Sequence, residues 1–457
     1  MSSSLVAMPR YEAYKDSGVE GLEKIPEHWR VKRFLNLFSF GKGLNITKEN
    51  LQDEGVPCVN YGEVHSKYGF EVNTDRHLLK CVSDDYLATS PKSLLNFGDF
   101  VFADTSEDIE GSGNFTQLTS TENVFAGYHT VIARPVKGHN YRYLAYLFDS
   151  TTYRDQIRKR VKGVKVYTIS QAVLKNTFLW LPSDEEQTAI AAFLDHKTAQ
   201  IDQAVAIKEQ QIVLLKERKQ ILIQNAVTRG LNPDAPMRDS GVEWIGEIPE
   251  HWEVKRLKYV LDERNERSKT GEEPLFMVSQ VHGLVVRSEY HDKAEVAQSN
   301  VDNKIVYRND LVFNKLKAHL GVFFKSNIEF EGLVSPDYAV YKAKAHIEDL
   351  KYLEHLFRHP AYIGQFIIRA TGIVEGLIRL YTGDLFDIEI PVPPSKEQTD
   401  ILLHIDTESA KIDKAIELQQ QQIDRLKEYK ATLINSAVTG KIKVPGVDGY
   451  THDTEVA

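Results

Sequence analysis

The sequence predicts an α+β protein: two similar mixed α/β domains joined by two long antiparallel α-helices that pair as a coiled-coil spacer. Three observations predict it. A short opening motif occurs twice, a 43-residue helical pattern occurs twice, and β-rich stretches of divergent sequence lie between them. Internal repetition at a fixed offset is the mark of one folding unit used twice.

The opening motif comes first in the chain. Residues 16–34, with Asp16-Ser17-Gly18-Val19-Glu20 and Ile25-Pro26-Glu27-His28-Trp29, recur as residues 239–257, with 13 of 19 positions identical at an offset of 223. His28 and His251 precede Trp at matching places and read as structural pieces of a domain entrance rather than as catalytic groups. Weaker echoes follow. Gly98-Asp99-Phe100-Val101-Phe102 answers Asn309-Asp310-Leu311-Val312-Phe313, and Tyr143-Leu144 with Leu147-Phe148 answers Tyr352-Leu353 with Leu356-Phe357.

The divergent stretches, roughly 35–183 and 258–394, mix strands with helices. Val56–Tyr61, Phe100–Phe102 and Thr130–Ala133 are runs of β-branched and aromatic residues and predict strands. Arg142–Arg160 predicts one helix, with Tyr143, Leu147 and Ile157 near one face.

Glu186-Gln187-Thr188 opens the longer repeat, and Ala226-Val227-Thr228 closes it; the second copy runs from Glu397-Gln398-Thr399 to Ala437-Val438-Thr439, with 21 of 43 positions identical. Apolar residues fall at Ile190, Leu194, Ile201, Val205, Ile212, Leu215 and Leu222, and at Ile401, Ile405, Ile412, Ile416, Ile423, Leu426 and Leu433. Spacings of three, four and seven make a heptad stripe, the seam of paired helices. Lys197/Glu408, Lys208/Gln419 and Lys219/Lys430 interrupt it at matching points. Neither copy contains Pro or Gly; Pro182 and Pro394 precede the starts, and Gly230 and Gly440 mark the stops. A helix of 43 residues is about 65 Å long at ~1.5 Å per residue, too long for a small domain to enclose. Each copy is therefore expected to use the other as its partner, antiparallel, with a globular unit at either end.

The expected organisation is domain 1 over 1–183, a spacer helix over 184–229, a linker over 230–241, domain 2 over 242–395, a second spacer helix over 396–439 and a tail over 440–457. Two prolines in 231–238 mark the linker.

Composition limits what such a chain can be. Its 457 residues are 42% hydrophobic and 26% charged, with a net charge of −9. No run approaches the ~18 apolar residues that span a bilayer, and Met1–Arg10 lacks a basic leader before an apolar run, so a cytoplasmic protein with no membrane partner is expected. Cys58 and Cys81 are too few for a disulfide framework or a four-cysteine zinc site. Pro393-Pro394 lacks the flanking amide and ring of an amino-methyltransferase motif. Asp108–Gly113 has no strand before it or helix after it, so it reads as a polar loop rather than a phosphate cradle. Pro336-Asp337 lacks the second carboxylate of a metal nuclease, and no Gly-rich ATP loop is present. No catalytic residue and no metal ligand set is expected.

Net acidity disfavours nucleic acid, yet local charge on one face decides that question. Arg154, Arg158, Lys159, Arg160, Lys162 and Lys165 form a dense cationic run that leads into Tyr167-Thr168-Ile169-Ser170-Gln171, read as a polar turn. Cations for phosphates beside polar side chains for base edges suit a groove-facing loop. The matching region holds Arg369, Arg379 and Tyr381, and Lys315, Lys317 and His319 form a third cluster.

Together the motif 239–252, the Glu-Gln helix starts and the Ala-Val-Thr helix ends resemble the specificity subunits of type I restriction-modification enzymes, over essentially residues 16–440. The first motif departs from the family pattern at Gly21-Leu22-Glu23, where Trp and Gly are usual. The resemblance implies two target-recognition domains, each reading one half of a bipartite double-stranded DNA site. It implies docking of two methyltransferase subunits and of restriction/translocase subunits, with S-adenosylmethionine, ATP and Mg held by those partners rather than by this chain. A spacer of ~65 Å is just under two duplex turns, which suits two half-sites on one face. The acidic balance favours a rival of another class, a coiled-coil scaffold with two protein-binding end domains.

Overall fold

The computed structural model describes residues 8–136, 140–163, 166–280, 282–290, 299–372 and 379–447, except the side chains of Ala318 and His319. Two compact units divide the chain. The first takes Met1–Glu209 with Gln420–Ala457, and the second takes Gln210–Gln419. Each unit thus combines a mixed α/β body with one half of each long helix.

The body of the first unit is built on a five-stranded sheet, ordered Phe38–Lys42, Thr130–Pro135, Phe100–Ala103, Phe115–Leu118, Phe70–Val72. Three of its pairings are antiparallel, and Phe70–Val72 joins Phe115–Leu118 in parallel. A four-stranded sheet carries Val56–Val59 beside Cys81–Val82 and Val124–Ala126. Phe34, Phe38, Phe100, Phe102, Phe115, Phe148 and Tyr153 form the centre of the core, with edge-on and tilted ring contacts.

The second unit repeats the frame with four strands, ordered Leu261–Glu263, Tyr338–Ala343, Leu311–Asn314, Phe323–Lys325, all antiparallel. In both units a buried aspartate closes the turn before the central strand. The Asn96 N–H donates to Asp99 and the Tyr307 N–H to Asp310, at 2.8 and 2.9 Å. Burial pushes Asp99 up to about 6, and Arg134 stands 3.3 Å away. Arg264 does the same for Asp310 at 2.9 Å.

Three local expectations need correction. Arg142–Arg160 is not one helix but two, Tyr141–Asp149 and Thr151–Arg158, because Ser150 is extended (ψ 142°) and its hydroxyl caps the second helix by accepting from the Tyr153 N–H. The strand expected over Val56–Tyr61 stops at Val59. Residues 167–171 are not a polar turn: Tyr167-Thr168 pairs with Thr105-Ser106, Ile169 is fully buried, and Ser170 caps the helix Gln171–Lys175.

The long helices span Asp184–Arg229 and Ser395–Val438. Inside the first unit, the start of one runs antiparallel to the end of the other: Ile190, Leu194, Ile201 and Val205 share a core with Leu426, Leu433 and Ile434. Inside the second, Leu222, Ile223, Ala226 and Val227 share a core with Ile401 and Ile405. Ile412 and Ile423 are buried, whereas Ile212, Leu215 and Ile416 are half-buried. Interruptions of the stripe tie the helices together. Lys430 reaches Asp202 and Lys219 reaches Asp413, each at 2.7 Å, and Lys208 reaches Gln422. No helix among the described residues is long and apolar enough to cross a membrane. Cys58 and Cys81 are both free and buried.

Candidate nucleic-acid interface

Each unit fixes its opening motif to the start of a long helix through one glutamate. Glu186 accepts from Trp29 Nε1 at 3.1 Å, from the Tyr11 hydroxyl, and pairs with His28 Nε2 at 2.8 Å. Glu397 takes Trp252 Nε1 at 3.0 Å and His251 Nε2 at 2.7 Å. The next residue stitches the body to the same helix. Gln187 bonds the Pro182 carbonyl and the Asn140 N–H, and Gln398 bonds the Pro393 carbonyl and the Glu348 N–H.

A tyrosine closes the other helix of each pair. Tyr143 donates to the Trp180 carbonyl, and Trp180 Nε1 donates to the Val438 carbonyl, one of the helix-end acceptors left without an intrahelical donor. Tyr352 serves Val227 directly, at 2.9 Å. Gly440 (φ 70°) and Gly230 (φ 76°) then turn the chain out of the helices in the left-handed conformation that glycine adopts without strain. A rigid frame therefore holds the surface segments that carry charge.

In the first unit the cationic run lies at the end of the helix Thr151–Arg158 and just beyond it. Arg158 is largely occupied: it bonds the Glu110 carbonyl at 2.8 Å and stands 3.2 Å from the carboxylates of Glu110 and Asp155. Lys159 pairs with Glu20 at 2.9 Å and holds that carboxyl below its usual range. Arg160 is half-buried and donates to the Gln156 carbonyl at 2.6 Å. Lys162 is exposed, Tyr167 is half-buried, and Lys165 lies outside the described residues.

In the second unit Lys315 begins a turn that packs on the helix Pro360–Arg369, and its carbonyl accepts from the Leu380 N–H at 3.2 Å. That brings Lys315 and the start of the Tyr381 segment together. Thr371 and Arg379 face each other in an antiparallel bridge. Here too charge is consumed locally. Lys315 approaches Glu263 at 3.7 Å, Arg379 pairs with Asp337 at 3.0 Å, and Arg369 bonds Gln365 on its own helix. Lys317 is exposed, Tyr381 is 49% exposed, and the His319 side chain lies outside the described residues.

Other exposed cations escaped the sequence reading. Arg30, Lys32 and Arg33 lie exposed on the strand Arg30–Arg33, and among the described residues none of them forms an ion pair. Their signal was present, a run of basic residues, but it sat inside a duplicated motif read as structural. Missed as well were the outward apolar residues Ile207, Val213, Leu214, Ile221, Leu403 and Leu418, which fall off the heptad stripe and stand about half exposed or more.

Among the described residues no group of three or more His, Cys, Asp or Glu is placed to hold a metal ion. The family described as the type I restriction modification DNA specificity domain matches residues 26–216. The chain is 24% identical over 450 residues to the putative type I restriction enzyme MjaX specificity subunit of Methanocaldococcus jannaschii, covering 94% of this chain and 98% of that one. It is 22% identical over 436 residues to the type I restriction enzyme EcoKI specificity subunit of Escherichia coli, covering 92% and 90%. Its fold matches a chain solved in work on complex assembly and conformational transition of the type I R-M system, with TM-score 0.65 and 15% identity over 92% of this chain and 99% of that one. The HsdS subunit from Thermoanaerobacter tengcongensis matches with TM-score 0.52 and 15% identity over 93% and 100%. The chain is thus similar to the specificity subunits of type I restriction-modification systems, in sequence over nearly its whole length and in fold.

Proposed function

We propose that each unit reads one half of a bipartite duplex DNA site, and that the two paired helices set the half-sites apart. The observation that carries this reading is the duplication itself: one frame is kept twice, down to Glu186 and Glu397 at the helix starts, while the surface segments differ. A protein with two identical targets has no reason to diverge there. Two adenine methyltransferase subunits dock on the outward faces of the helices, where Val213, Leu214, Ile221 and Leu403 stand exposed, and restriction subunits join them. S-adenosylmethionine, ATP and Mg belong to those partners.

Co-expression with a type I methyltransferase subunit, followed by mapping of modified adenines, tests the reading: methylation should fall on a two-part sequence with a fixed gap. A contiguous or scattered pattern refutes it. Neutralising Lys159, Arg160 and Lys162 together should weaken duplex binding and leave assembly with the methyltransferase intact, whereas a polar residue at both Ile201 and Ile412 should break the helix pair and the assembly. A protein-binding scaffold would show assembly without salt-dependent affinity for DNA.

A further inference from the structure

The strand Arg30–Arg33 runs antiparallel to Phe178–Leu181, with Arg33 opposite Phe178. Beside it opens a cleft of about 490 Å³ lined by Arg33, Arg160, Ala172, Val173, Asn176 and Phe178. Among the described residues, two guanidiniums and a carboxamide line this cleft, and no carboxylate does. Arg33 lies over the Phe178 ring at 5.8 Å, which holds its head without neutralising it. Arg160 uses one nitrogen on the Gln156 carbonyl, and Glu20, whose charge it feels, is already bonded by Lys159.

The second unit shows what the same frame looks like without this chemistry. The strand Glu253–Arg256 pairs with Glu389–Val392, and Arg256 stands opposite Glu389 as Arg33 stands opposite Phe178. At the offset of 211, Asn176 becomes Asp387, Phe178 becomes Glu389 and Val173 becomes Asp384, whereas Arg160, at the offset of 209 that its helix follows, is answered by Arg369. Arg256 is shared between Asp387 and Glu389 at 3.9 and 3.8 Å, and Lys258 also faces Asp387 at 4.0 Å. Equivalent positions have thus exchanged neutral residues for acids, which turns an anion-accepting cleft into a self-neutralised surface.

We propose that the Arg33–Arg160–Asn176 cleft is a phosphodiester-binding site that holds the DNA backbone beside the first unit, and that the second unit has no such grip at the equivalent place. Forked guanidiniums match phosphate oxygens, and the Asn176 amide supplies a neutral donor where an aspartate would repel. The proposal rests on the DNA-reading role put forward above and adds an inequality: one half-site is held by charge at this place, while the other depends on contacts elsewhere.

Full-length chain and a duplex of random sequence provide the test, with log K followed against log salt concentration. Each phosphate contact contributes about 0.9 to the slope. Arg33→Gln and Arg160→Gln should each flatten the slope by about 0.9, while Arg33→Lys, which keeps the charge, retains it. Asn176→Asp, which copies the second unit, should weaken binding, and the double change Asp387→Asn with Glu389→Gln should strengthen it. If the native chain binds with a salt-dependent slope and R33Q and R160Q leave that slope unchanged, the cleft is not the site, although the DNA-reading role stands. If the native chain shows no salt-dependent binding, both fall.

Discussion

Unit one has Tyr146 where unit two has His355, on matching helices that pack against a long helix. The tyrosine spans to its helix, donating to Asp195 at 2.6 Å and meeting Thr198 at 3.1 Å. The histidine is buried to 8% exposure with neither ring nitrogen bonded. Similar asymmetry marks the glutamates: the Glu186 side chain is 4% exposed and Glu397 25%. One frame can therefore be built with its polar contacts satisfied, or with one left unpaired in the interior and another opened to water, and the second unit takes the less satisfied form in both places.

That difference can be broken deliberately. Glu186→Ala strips an acceptor from Trp29 and Tyr11 in a buried site and should cost about 3–4 kcal/mol, against about 1 kcal/mol for Glu397→Ala, where water replaces the carboxylate. Denaturant unfolding followed by tryptophan fluorescence reads both, because Trp29 and Trp180 lie in the first unit and Trp244 and Trp252 in the second. Equal losses would erase the contrast.

Glycine substitutions should sharpen it. A Cβ on Gly440 would meet Pro26 Cδ at 2.4 Å, whereas one on Gly230 would meet the movable end of Glu397 at 2.8 Å. Gly440→Ala should cost about 2–3 kcal/mol and Gly230→Ala about 1–2 kcal/mol, since both also incur left-handed strain. A thermal-shift comparison ranks them.

pH gives a third contrast. Burial, reinforced by Lys351, Arg358 and Lys219 and opposed by Asp349, lowers His355 to about 3. The folded second unit keeps this ring neutral while the unfolded chain protonates near pH 6.5, so the unfolded state binds more protons and stability is lost as pH falls through the interval from 6.5 to 3. Between pH 7 and pH 5 the loss should be about 2 kcal/mol, and His355→Phe should abolish that part of the pH dependence. Unfolding midpoints that stay parallel in the two proteins would count against it.

The smallest effect is one in which the units should agree. Asp202→Asn and Asp413→Asn each remove one exposed cross-helix ion pair, worth roughly 0.5 kcal/mol in either unit.

Most of the frame was legible in the sequence because repetition reports on shared packing without any knowledge of the packing itself. The helix bounds followed from Pro182, Pro394, Gly230 and Gly440, residues whose backbone preferences are local. The break at Ser150 was not legible, since the apolar spacing runs on through it and a capping hydroxyl looks like any surface serine. Charge was the least legible property. A run such as Arg158-Lys159-Arg160 shows its cations but not the carboxylates that fold against them, and Glu20 and Glu110 come from remote segments. Conversely, Arg33 gains its free charge from an asparagine and a phenylalanine more than 140 residues away, and no local pattern encodes that.

The two enclosed thiols have a practical consequence. Both thiols are enclosed, and burial pushes Cys58 up to about 12 and raises Cys81 as well, so slow reaction with thiol reagents is expected of both. The native chain should then be a quiet background for maleimide labelling, which a labelling time course of the folded protein checks. One cysteine introduced at an exposed position of each unit would carry the fluorophores, and a distance between the two units in solution could be measured without first removing any native sulfur.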